Sequence, residues 1–305
     1  ASWSLKIYQI NSEIILSDIL PILENIGLSV VRENSVQLAD INDDRRVYNI
    51  IDLHLNPLNT RVELTDARAS QVIACIKSVL GKSAQSDVVN LLLTTADISF
   101  ESLIVIRAVI YYAKQTSFML STEFMLQTIV KYPKLTALLI DIFQAKFSSI
   151  DNHSSDIVAY IEKYEIELEQ VDSINEDKVY RRLLNTIQAT VRTNFYLPDQ
   201  CALVLKIQPN LINDMPLPVP LVEAFVYSHR FAGTHLRMSL ISRGGIRWSD
   251  RLEDYRTEVL GLMHAQQLKN AVIVPDGAKG VFVPKLLTEQ MSKDEYYAEG
   301  QACYQ

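Results

Sequence analysis

The chain has little cysteine, little glycine and no surplus of positive charge. Its 305 residues include three cysteines and nine glycines, and the net charge is −7. Cys75, Cys201 and Cys303 are far apart and odd in number. They fit free thiols in a reducing cytoplasm better than a disulfide framework, with small buried filler as the expected role. No cysteine or histidine pair has zinc-ligand spacing. The acidic balance argues against nucleic acid as a partner. No apolar run approaches the ~18 residues that a membrane span needs. The most apolar window, Leu103 to Ala113, carries Arg107 in its middle. The start, ASWSLKIYQI, lacks the basic region and long apolar core of a secretory signal. No two glycines stand two apart, so GxGxxG is absent, and no GxxxxGK[ST] phosphate loop occurs.

What is present reads as mixed α/β in three regions. Residues 1–65 begin with SLKIYQI, whose alternation predicts a strand. Apolar positions Leu16, Ile19, Leu20, Leu23 and Ile26 follow at helical spacing, with Pro21 inside and Gly27 as a stop. LSVVRENSVQL predicts a strand broken by a turn at Glu33-Asn34, and VYNIIDLHL a further strand. Residues 66–190 hold a single glycine, Gly81, and a series of amphipathic stretches: Asp66–Leu80, Phe100–Gln115, Thr122–Lys131, Lys134–Phe147, Ser155–Tyr164 and Ile174–Asn194. They predict an all-helical spacer or bundle. From 191 the α/β pattern returns. ALVLKI, Leu221–Tyr227 and HLRMSLI read as strands, Asp250–Lys269 as a helix, and AVIVP as a buried strand leading into PDGAKG.

Charge is unevenly spread. Arg237 to Lys285 holds eight Lys/Arg against five Asp/Glu, an excess of three positive charges that leaves ten negative on the rest. A basic island in an acidic chain suits a small anionic ligand, although a solvated helix surface would show the same count. Two glycine-rich spots lie in the island, SRGGIRWSD (Ser242–Asp250) and PDGAKG (Pro275–Gly280). Glycine lets backbone approach a ligand closely. Arg243, Lys269 and Lys279 beside them are candidate carboxylate ligands, and a desolvated lysine can act as a base. On turn chemistry alone, Lys279 reads as a surface lysine. Trp248 is read as a pocket wall or as core. His229, His235 and His264 are read as partly buried structural residues. Arg247, Arg251 and Arg256 are expected to pair with Glu253, Asp254 or Glu258 at helical spacings.

The block SRGGIRWSDRLEDYRTEVLGLMHAQQLKNAVIVPDGAKGVFVPK resembles the start of the catalytic core of the large NAD-specific glutamate dehydrogenases of bacteria. YRRLLNTIQATVRTNFY, MPLPVPLVEAFVYSHR and GTHLR are similar to the segments that precede that core. ISFESLIVIRAVIYYAKQ resembles the family's helical region, and LSDILPILENIGLSVV one of its regulatory ACT-like units. The resemblance covers nearly the whole chain. It implies an ACT-like unit over 1–65, a helical region over 66–190 and an incomplete α/β substrate domain over 191–305. It implies interconversion of L-glutamate with 2-oxoglutarate and ammonia. Lys279 would be the catalytic lysine that activates the water attacking the imine. Lys269 and Arg243 would hold substrate carboxylate, and Gly244, Gly245, Gly277 and Gly280 would let the backbone close on it.

Two positions depart from the family pattern: Val281 replaces a second glycine after the lysine, and Asp276 replaces an apolar residue. NAD is the expected cofactor, on a domain outside this chain, as is an aspartate partner for Lys279. The chain is accordingly expected to be inactive alone. Expected partners are L-glutamate and 2-oxoglutarate within a cytoplasmic homo-oligomer. A different class of function stays open: a regulatory or assembly module that binds an effector amino acid or a partner subunit without catalysis.

Overall fold

The computed structural model describes residues 3–12, 15–39, 46–58, 65–148, 154–270 and 277–305. Two compact units divide the chain, Ala1–Glu101 and Ser102–Gln305.

In the first unit, the alternating stretch becomes β1 (Trp3–Ile10), followed by α1 (Leu16–Ile26), β2 (Leu28–Ala39) and β3 (Val47–Pro57). The strands form an antiparallel sheet in the order β1-β3-β2. Helix α1 continues through Pro21 and buries Ile19, Ile22, Leu23 and Ile26. It ends at Gly27, whose φ of 85° is left-handed and natural for glycine. The expected turn at Glu33-Asn34 does not form. β2 runs unbroken beside β3 and has only a register shift between Val30 and Arg32. Cross-strand hydrogen bonding over the full ladder outweighs the weak local turn preference of Glu-Asn. Helix α2 (Asp66–Leu80) is capped by Thr65, which accepts from the Arg68 N–H, and α3 (Leu92–Thr95) follows. Thr94 donates to the Ile26 carbonyl at 2.7 Å, tying α3 to the end of α1.

The second unit starts with α4 (Leu103–Gln115), α5 (Thr122–Lys131), α6 (Pro133–Phe147), α7 (Ser154–Leu168) and α8 (Ile174–Ala189). Ser121 caps α5 by accepting from the Phe124 N–H, and Pro133 opens α6, where no backbone donor is required. Helix α8 stops five residues before Asn194, the expected end. The β-branched run at Thr190, Val191 and Thr193 instead forms β4 (Thr190–Thr193), which pairs with β5 (Leu203–Ile207). Then come β6 (Val222–Tyr227), β7 (Phe231–Arg237), β8 (Arg243–Trp248), α9 (Tyr255–Asn270), β9 (Gly277–Pro284) and α10 (Lys293–Tyr304). The sheet order is β4-β5-β6-β7-β9-β8, with β8 and β9 parallel and every other pair antiparallel.

This sheet has two unlike faces. Glu223, Phe225 and Tyr227 on β6 are fully buried, as are Ala232, Thr234 and Leu236 opposite them on β7. Helices α4 and α9 cover that face: Tyr112 of α4 packs edge-on against Phe225, and Arg256 of α9 reaches Glu223. Helix α4 is therefore part of the core of this unit. The alternate residues Val222, Ala224 and Val226 stay half-buried on the other face. Cys75 and Cys303 are buried as expected, but Cys201 is exposed. Burial lifts the Cys303 thiol to about 11, which keeps it protonated.

Candidate active site

The PDGAKG lysine lies within a strand. AVIVP and Asp276 fall outside the described residues, and β9 begins at Gly277. Register places Lys279 opposite Leu236 on β7 and Gly245 on β8, in the row that α4 and α9 cover. Position 243 stands opposite Gly277, two residues before Gly245. Strands β8 and β9 are parallel and joined by α9, so α9 must run back along them. Its 16 residues cover roughly 24 Å at 1.5 Å per residue. Lys269, the penultimate residue of α9, thus lies at the helix end that leads into Gly277. Topology brings positions 243, 269 and 279 to one end of a single βαβ unit.

The glycines differ in what they permit. A β-carbon at Gly244 would stand 1.1 Å from the Ala278 carbonyl oxygen, so only glycine lets β8 and β9 approach here. At Gly245, beside Lys279, nothing lies within 4 Å of the equivalent point. At Gly280 a β-carbon would meet Ile246 and His235 at 2.9 and 3.1 Å. Gly277 is buried at the start of β9. Val281 is 3% exposed and paired with Thr234 and Arg247 in regular strand. Its side chain belongs to the covered face, and the extended backbone there suits a β-branched residue.

Three arginines of the basic island are paired with carboxylates. Arg251 pairs with Asp254 at helical spacing, as expected, whereas Arg247, on strand β8, reaches across to Glu258 of α9 at 3.2 Å. Arg256 instead reaches a residue 33 positions away. Its Nε donates to both Glu223 oxygens at 3.1 and 3.0 Å, and both residues are almost wholly buried. Burial alone would lower the Arg256 pKa, but the Glu223 carboxylate overrides this and raises it. Lys285 donates to the Ser228 carbonyl at 2.8 Å and lies over the Tyr227 ring at 4.2 Å. Arg237 donates to the Ser242 hydroxyl and the Leu240 carbonyl. Lys279 has no ion-pair partner among the described residues.

Glu223 gathers further polar groups. Thr234 Oγ1 donates to it at 2.6 Å and Tyr112 OH at 3.1 Å. The Tyr112 phenol is pushed well above its ordinary value by burial and by the adjacent carboxylate. Gln115 of α4 completes the joint. Its amide nitrogen donates to the Leu252 and Glu253 carbonyls, and its oxygen accepts from the Arg256 N–H. The helical region thereby fixes the first turn of α9. Sequence reasoning missed this cluster, although one signal existed. Glu223 shares a strand row with Phe225 and Tyr227, and an acid in a buried row requires a partner.

Trp248 proves to be packing: it stacks on Phe282 and on Tyr296 of α10, at 6.2 and 5.2 Å between centroids. His229 and His235 are half-buried and held below their ordinary pKa, chiefly by burial and then by Lys285 and Arg237 respectively. His264 is exposed. No dinucleotide cradle is formed by the described residues. Their one parallel strand pair is β8/β9, and the β8–α9 junction, 249–254, has no glycine. Among the described residues no cluster of His, Cys, Asp or Glu could hold a metal ion, and no helix is long and apolar enough to cross a membrane.

Comparison with known proteins matches three consecutive segments to family models. Residues 1–67 match the glutamate dehydrogenase ACT3 domain, 84–149 its helical motif 3, and 163–305 the catalytic domain of bacterial NAD-glutamate dehydrogenase. The chain is 38% identical to the NAD-specific glutamate dehydrogenase of Pseudomonas aeruginosa over 98% of its length. It is 37% identical to that of Halomonas elongata over 99%, and 34% to that of Mycobacterium tuberculosis over 95%. It spans 19% of the length of each of these relatives.

Proposed function

We propose that this chain, which belongs to the bacterial NAD-glutamate dehydrogenase family, supplies the substrate side of an NAD-dependent glutamate dehydrogenase. Lys279 is the catalytic residue of this reading. Arg243 and Lys269 hold the carboxylates of L-glutamate or 2-oxoglutarate, and Gly244, Gly245, Gly277 and Gly280 shape the floor. One observation carries the reading. Lys279 has no ion-pair partner among the described residues, whereas Arg247, Arg251 and Arg256 of the same island are paired, and it stands beside the open space at Gly245.

The chemistry assigned to the chain is the hydrolytic half. The Lys279 amine takes a proton from the water that adds to the imine carbon. Nitrogen then leaves as ammonia and 2-oxoglutarate remains. The anionic substrate is drawn to the cationic end of the βαβ unit, and the dry core behind it strengthens that attraction. The oxidation that forms the imine belongs to NAD, for which the described residues offer no cradle, and no step is assigned to it here. The three-part organisation (1–65, 66–190, 191–305) and a cytoplasmic homo-oligomer complete the reading.

Calorimetric titration of 2-oxoglutarate tests it. Wild-type chain binds, and the Lys279→Ala, Lys269→Ala double variant loses at least about tenfold in affinity, or about 1.4 kcal/mol. Equal affinity in the two proteins refutes the substrate-site reading.

A second reading concerns the first unit alone. Tyr8, Ile10, Val36 and Leu38, toward one end of its sheet, are exposed by 49–66%. An apolar sheet surface of this kind favours a partner-binding or assembly role for the ACT-like unit. A reversible dimer of residues 1–305 in sedimentation, abolished by Val36→Glu with Leu38→Glu, is the expected result.

A further inference from the structure

The half-open face of the six-stranded sheet carries a groove of about 520 Å³, running from β4 to β7. Pairing sets Arg192 directly across from Lys206, Lys206 across from Ala224, and Ala224 across from His235. Like charges facing each other on neighbouring strands repel and destabilise the sheet. Arg237 adds a third cation, and its hydrogen bonds to Ser242 and Leu240 fold the β7–β8 connection over the groove. No Asp or Glu lines it, and Arg192 and Lys206 have no ion-pair partner among the described residues. The walls are apolar: Leu197, Leu221 and Leu240 are exposed by 64%, 44% and 84%. Concentrated positive charge against bare leucine suits neither water nor a simple inorganic ion.

We infer that this groove is a binding site for a small amphiphilic anion, a carboxylate or phosphate carried on an apolar body. Its volume falls within the roughly 300–1,000 Å³ typical of small-molecule sites. The anionic head sits among Arg192, Lys206 and Arg237, and the body lies along Leu197, Leu221 and Leu240. The site is separate from the candidate active site, because it occupies the opposite face of the sheet from Lys279. It is also linked to it. His235 floors the groove and pairs with Gly280, the residue after Lys279, where a β-carbon would come within 3.1 Å of His235 Cδ2. An occupant therefore bears on the lysine strand from behind without touching the substrate. This inference does not depend on the function proposed above.

Displacement of 8-anilinonaphthalene-1-sulfonate fluorescence from the 305-residue chain tests it. Octanoate and octyl phosphate should displace the dye, the tighter of the two identifying the natural head group. Octanol and inorganic phosphate should each bind at least about tenfold more weakly, since each lacks half of the ligand. Arg192→Glu with Lys206→Glu should weaken the two amphiphiles by at least about tenfold, and Arg192→Lys should leave them unchanged. Both residues are exposed, so these variants should keep the wild-type melting curve. Leu240→Ala supplies an independent arm that weakens octanoate without altering inorganic phosphate. Equal binding of octanol, or unchanged amphiphile affinity in the charge-reversed variant, overturns the inference. So does a sedimenting dimer that Arg192→Glu abolishes and octanoate leaves intact, because a second copy would then fill the groove.

Discussion

The two sheets of this chain use charge in opposite ways. In the three-stranded sheet, charged side chains meet at the surface: Ser4 donates to Asp52, and Lys6 lies 3.6 Å from the same carboxylate. On the covered face of the six-stranded sheet, the Glu223 carboxylate and the Arg256 guanidinium of α9 are withdrawn from water altogether, held by a threonine, a tyrosine and each other. The first arrangement contributes little to stability and tolerates change. The second commits three elements, α4, β6 and α9, to one geometry, because either partner alone would be a buried uncompensated charge. The lesson is where rigidity has been placed. The unit with the candidate catalytic lysine also has the buried ion pair that positions the helix leading to it.

The sharpest way to break this contrast is Glu223→Ala, which strands Arg256 in the core. It should cost about 3–5 kcal/mol, visible in urea denaturation as a shift of the second unit's transition alone. Glu223→Leu paired with Arg256→Met, which removes both charges, should recover most of that loss.

A backbone test ranks next. Gly244→Ala drives a methyl into the Ala278 carbonyl and should cost about 1–3 kcal/mol, with weakened β8/β9 pairing seen as faster amide exchange in 277–284. In the first sheet's unit, Gly27→Ala forces a left-handed alanine against Leu91 and should cost about 1–2 kcal/mol.

A pH titration should separate the units more gently. His229 and His235 have native pKa values below their unfolded one, so the unfolded chain takes up protons first as pH falls. Their contribution is complete above the ordinary histidine pKa and is lost as pH drops through and below it. The second unit's melting temperature should decline from pH 7.5 to 5.5, and His235→Gln should flatten that decline. At the small end, Lys6→Ala should leave the melting curve of either unit unchanged.

Much of this molecule was readable from local pattern. Helices 66–80 and 122–131 begin and end where periodicity and capping put them, because both signals act within one or two turns. Gly27 stops α1 for the same reason. What escaped was non-local. The β2 ladder suppressed a turn that Glu33-Asn34 favours in isolation. SRGGIRWSD read only as a glycine-rich spot, yet its core is strand β8, since Gly244 answers to Ala278 across the sheet rather than to its neighbours. Arg256 had acids at helical spacing and took Glu223 instead, as only the fold buries them together. For the candidate site, the residues were named from motif resemblance. Their convergence on one end of β8–α9–β9 is a property of topology that no spacing displays.

The central claim is that Lys279 does chemistry while Arg247, Arg251, Arg256 and Lys285 of the same island serve structure. The most direct test is the rate of NADH formation from L-glutamate by the complete protein carrying Lys279→Ala, with the exposed Lys293→Ala as control. The account predicts a kcat lowered by at least about 10²-fold for Lys279→Ala with the melting curve unchanged, and a wild-type rate for the control. A Lys279→Ala enzyme that turns over at the wild-type rate would contradict it.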